Sequence, residues 1–62
     1  MKQREYREIC QAVSDGQMRE VEHTITHDHG RVVSCTRAGF EVEIGDMHQN
    51  WDRHNCVDLK MR

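Results

Sequence analysis

The stretch HTITHDHG, residues 23–30, puts His23, His27 and His29 close together, and their chemistry could be metal ligation or proton exchange near neutral pH. On a strand, His23 and His27 stand about 13 Å apart, too far to share one ion. His27 and His29 are two apart and could both approach a metal near a turn. Tetrahedral zinc needs four ligands at about 2.0–2.3 Å, so the rest would have to come from His48, His54 or Cys56, with Cys35 joining only if the strand order allowed it. The close pairs that usually hold zinc, CxxC or HxxxH on a helix, are missing. The expectation is a solvated hairpin with no metal or other cofactor; His27, His29, His54 and Cys56 are the residues to consider if a metal were present. His23 alternates with Val21 and Ile25 and is expected at a sheet edge, half exposed.

Nucleophilic chemistry has one opening. Cys56 lies two residues from His54, and on a strand both side chains would point the same way. There is no phosphate loop, no nucleophile elbow and no paired-carboxylate constellation beyond strand-face glutamates. No enzyme activity is expected from so small a chain. Nucleic-acid binding would call for a basic groove with aromatic platforms. Here the formal charge is −2, and Arg31, Arg37, Arg53, Lys60 and Arg62 all have acidic neighbours. Nucleic acid is therefore possible but not favoured. The remaining class is a protein-interaction module, with a homodimer among the forms to expect. In this reading Trp51 and Arg53 are the candidate contact residues, because Trp51 is either the main core plug or an exposed anchor.

The supporting elements must come from 62 residues with a thin apolar supply: six Val, three Ile, one Leu and one Phe. That is enough for one marginal domain, spanning residues 1–62, and a partner subunit would help to stabilise it. Charges are interspersed, with a sum of −1 in each half, and there is no proline. No run approaches the roughly 18 apolar residues of a membrane helix. The charged MKQREYRE start is unlike a secretory signal. Three cysteines at irregular spacing argue against a disulfide framework and for reduced thiols acting as small apolar residues. The expected location is therefore cytoplasmic.

Tyr6, Ile9, Cys10 and Val13 form one stripe at helical spacing, which predicts a helix over about 3–14 closed by Gly16. After Gly16 the period becomes 2. Strands are predicted over about 18–27, 31–36, 40–44, 49–52 and 56–60, with turns at Asp28-His29-Gly30, Arg37-Ala38-Gly39 and Gly45-Asp46. In the second strand, valine at both 32 and 33 leaves the parity open. In the last, Val57 and Leu59 share a face. The helix stripe is expected on a sheet face made by Val21, Ile25, Phe40, Val42, Ile44 and Leu59. Connections this short make an antiparallel meander. The fold class is thus α+β, an N-terminal helix followed by a small, partly open, barrel-like sheet. In outline this resembles the SH3-like and Sm-like barrels, the latter also having a helix before five bent strands. The resemblance is architectural and implies no particular function.

Overall fold

The structure, a computed structural model, describes residues 1–59. Helix α1 spans Gln3–Ser14. At its start the Lys2 N–H donates to the Glu5 carboxylate at 3.2 Å. At its end Gly16 takes φ +88°. There the N–H groups of Gly16 and Gln17 donate to the carbonyls of Val13 and Ala12 at 3.0 and 2.9 Å, a Schellman closure. The apolar stripe turns inward, with Ile9 fully buried and Tyr6, Cys10 and Val13 packed beside it.

Five strands follow: β1 Glu20–His23, β2 His29–Cys35, β3 Gly39–Ile44, β4 Met47–Asp52 and, after a 3-10 turn at Arg53–Asn55, β5 Cys56–Asp58. Their order is β4-β3-β2-β1-β5 with every neighbouring pair antiparallel. The molecule is α+β, one helix on a five-stranded antiparallel sheet. The sheet is not closed into a barrel. Ile9, Val21, Val32, Phe40, Val42, Trp51 and Cys56 form the core between helix and sheet.

Several expectations need correction. Cys10 and Cys35 are not free thiols: they form a disulfide with a Cα–Cα distance of 5.9 Å, tying α1 to the end of β2. The odd cysteine count concealed this, because Cys56 is the unpaired one. Next, β1 ends at His23 and not near residue 27. The chain reverses through Thr24, Ile25 and Thr26, His27 takes φ +63°, and β2 has begun by His29. Local bonds hold this turn: the His23 ring accepts from the Ile25 and Thr26 N–H groups, and the Thr26 hydroxyl accepts from Asp28 N–H. They override the strand propensity of Thr-Ile-Thr and leave Ile25 70% exposed, outside the core. The last strand has the opposite parity, with Cys56 buried and Val57 exposed. Leu59 is therefore no core residue; it lines a shallow cleft with Met18, Arg19 and Glu20. The end of that predicted strand, at residue 60, lies outside the described residues.

A bulge between Val32 and Ser34 decides the parity of β2. Val32 goes into the core and Val33 to the surface.

Candidate functional site

On the sheet face away from α1, the cross-strand register lines up Arg31, Glu43 and His48 in one row, and Ser34, Glu41 and Asn50 in the next. His48 Nδ1 lies 2.9 Å from a Glu41 oxygen, and its Nε2 lies 3.6 Å from Glu43. Arg31 pairs with Glu43, and the Ser34 hydroxyl donates to Glu41 at 3.1 Å. The His48 hydrogen bond holds the Glu41 carboxyl below the usual range, and the Arg31 hydrogen bond does the same for Glu43. In return Glu41 raises the pKa of His48.

The histidine-rich hairpin is built in the same way. Glu22 receives His27 Nδ1 at 2.9 Å and lies 3.5 Å from His29 Nε2, and the His27 hydrogen bond holds its pKa down. These two histidines therefore cover a carboxylate. Glu22 stands opposite Val57, so Cys56 faces the other side of the sheet, towards the core. His54 sits on the 3-10 turn, where its N–H donates to Asp52 at 2.8 Å. Among the described residues no group of three or more His, Cys, Asp or Glu side chains could hold a metal ion. Burial pushes the Cys56 thiol up to about 11, the reverse of what an activated nucleophile needs.

Trp51 is 6% exposed and belongs to the core. Its ring meets the edge of His23 at 5.0 Å between centroids, and its indole N–H donates to Gln49 at 3.0 Å. His23 is half-buried in this contact. The Arg53 guanidinium lies 5.1 Å over the Tyr6 ring, bridging the 3-10 turn to the helix. Both residues are thus committed to contacts within the chain.

What these contacts leave open is the edge of β4. The two-residue turn Gly45-Asp46 needs a positive φ at its first position, and Gly45 supplies it at +59°. Such a turn makes Ile44 and Met47 a hydrogen-bonded pair, and the pattern then alternates along the ladder. Met47, Gln49 and Trp51 therefore direct their peptide groups at β3; His48, Asn50 and Asp52 direct theirs outward. The bond from Arg53 N–H to the Ala38 carbonyl at 3.0 Å continues this alternation. Asp52 O accepts the Cys56 thiol at 3.4 Å, whereas the peptide groups of His48 and Asn50 have no backbone partner among the described residues. Residues 47–50 are all exposed, Met47 at 62%. An open cleft of about 300 Å³ runs between Glu41, His48, Gln49 and Asn50. Composition held the signal for this edge, a strand of polar residues after a Gly-Asp turn, but only strand order shows that no second strand among the described residues pairs with it.

No protein-family model, no curated protein and no solved structure matches this chain.

Proposed function

We propose that the protein is a non-enzymatic binding module that accepts an extended segment of a protein partner along the outer edge of β4. The observation that carries this reading is the pair of outward peptide groups at His48 and Asn50, on a strand that is exposed over residues 47–50 and has no proline, lysine or bulge to block it. Nucleic acid is disfavoured on two counts. Glu41, Glu43, Asp46 and Asp52 border the edge, and the indole that would serve as a stacking platform lies in the core. The shallow clefts and the buried, protonated Cys56 likewise support binding over catalysis.

No helix among the described residues is long and apolar enough to cross a membrane. The Cys10–Cys35 bridge favours an oxidising compartment over the cytoplasm expected for reduced thiols.

Asn50→Pro is the decisive variant, since it removes an outward N–H without removing a ladder bond to β3. A protein captured by the wild-type chain from its native host, then purified, should bind wild type at least about tenfold tighter than Asn50→Pro. Equal affinity would overturn the reading, as would retention of nucleic acid released by salt.

A further inference from the structure

The carboxylates beside the β4 edge indicate what a docked segment carries. We propose that this segment is basic, with a lysine or arginine opposite Asn50 whose cation enters the neighbouring cleft and pairs with Glu41. This rests on the reading of β4 as the docking edge and names the chemistry of its occupant.

The first support is geometric. The cleft is lined by Glu41, His48, Gln49 and Asn50, so the Glu41 carboxylate and the open edge share one space. Glu41 is the ladder partner of Asn50, and 37% of its side chain is exposed. A strand added beyond β4 would put the residue opposite Asn50 two strand spacings, about 10 Å, from the Glu41 backbone. A long basic side chain and the glutamate close that gap between them, over the short Asn50 side chain.

The second support is charge complementarity. Glu41, Glu43, Asp46 and Asp52 border the edge. Against them stand Arg31, which pairs with Glu43, and His48, which lies between Glu41 and Glu43; Arg53 is turned onto the Tyr6 ring. The other contact to Glu41 comes from the neutral Ser34 hydroxyl. Once His48 loses its proton, Glu41 therefore keeps two neutral neighbours and a full negative charge. A cation from a partner and the proton on His48 compete for this one carboxylate, so docking of a basic segment is favoured when His48 is neutral.

The probe is an end-blocked, fluorescein-labelled heptapeptide of alternating threonine and lysine, which puts every lysine on one face of an extended strand. Its threonine–glutamine and threonine–glutamate counterparts are the comparison. Fluorescence anisotropy should show the lysine peptide binding at least about tenfold tighter than either, and less tightly as salt is added. Glu41→Gln should remove that preference, whereas Glu8→Gln, exposed on α1, should keep it. Affinity for the lysine peptide should fall as pH drops through the folded pKa of His48, and His48→Gln should flatten that dependence above the carboxylate range. Asn50→Pro should weaken the lysine peptide by at least about tenfold. Circular dichroism melts establish that each variant is folded. Should Asn50→Pro fail to fold, lysine peptides N-methylated at the lysine amides or at the threonine amides test the pairing from the other side, and one of the two must lose binding.

A lysine peptide that binds no tighter than the glutamine peptide would overturn the proposal. So would a preference that survives Glu41→Gln, a pH profile unchanged by His48→Gln, or N-methylated peptides that both bind like the parent. If all three peptides bind alike and all weaken in Asn50→Pro, the docking edge stands and only this chemistry is wrong. If the lysine preference is untouched by Asn50→Pro, the cation meets Glu41 without strand pairing, and the reading of β4 as a docking edge falls with the proposal.

Discussion

His48 shows how a single side chain on a sheet face acquires a pH signature. It lies between Glu41 and Glu43 on the neighbouring strand, and the hydrogen bond to Glu41 raises its pKa while holding that carboxyl down. A histidine whose folded pKa exceeds the unfolded value of about 6.5 contributes fully below that value, and the contribution fades as pH rises through the folded pKa. A carboxylate held low contributes above its unfolded value of about 4.3 and loses the contribution as pH falls through the folded one. Both are present between about pH 4.5 and 6.5. Denaturant melts of wild type and His48→Gln should therefore differ most in that window and converge as pH rises through the folded pKa of His48. Equal differences at all pH values would mean that the ring contributes packing and not charge. Cys56 makes a second test at this scale. With its thiol buried at 1% exposure and its pKa pushed up to about 11, it should resist iodoacetamide until the chain unfolds. Rapid labelling of native protein would place the thiol at the surface.

At the scale of elements, α1 is held to the sheet by packing and by a covalent bond. Ile9 is fully buried among Val21, Val32, Phe40 and Val42. Ile9→Ala should cost about 2–4 kcal/mol, read from the denaturation midpoint. An unchanged midpoint would mean that the helix does not dock. The Cys10–Cys35 bridge closes a loop of sequence separation 25, and in the chain-entropy account that contributes about 3–4 kcal/mol. Adding a reductant, or making the Cys10→Ser, Cys35→Ser double variant, should lower the midpoint accordingly. For a domain this small either change removes a large part of the total stability, and insensitivity to reductant would show that the bridge is not formed in solution.

The whole molecule is one helix on a curled five-stranded sheet, with nearly equal extents of 26, 24 and 22 Å, and its outer face is set by charge pairs more than by apolar contact. Glu22 holds two histidines, Glu41 and Glu43 share a third, and Arg31 faces Glu43. Of the five histidines, His27, His29 and His48 thus lie against carboxylates, and His23 packs on Trp51. The first three already have carboxylate partners within the chain. A strong chelator is expected to leave the circular dichroism spectrum and the melting temperature unchanged, whereas a structural zinc would contribute folding energy outright. Stoichiometric zinc in untagged protein would overturn that expectation.

Much of this architecture is legible along the chain because period is a local property. Apolar spacing of 3 and 4 makes the stripe of α1, and alternation in FEVEI makes β3, with no knowledge of what either packs against. Gly16 and Gly45 mark the helix stop and the tightest hairpin, since each site needs a positive φ. Properties that depend on distant neighbours were decided only when the chain closed. The pairing of Cys10 with Cys35 arises because α1 crosses the end of β2, a relation that cysteine counting does not contain. The inward turn of Cys56 follows from its register against His23, and that of Trp51 from its register against Phe40. A one-residue change of register reverses every side chain on a strand, so a three-residue strand such as β5 carries too little pattern to set its own face. The β4 edge belongs to the same class: its residues are plain in the sequence, but its openness is a property of strand order.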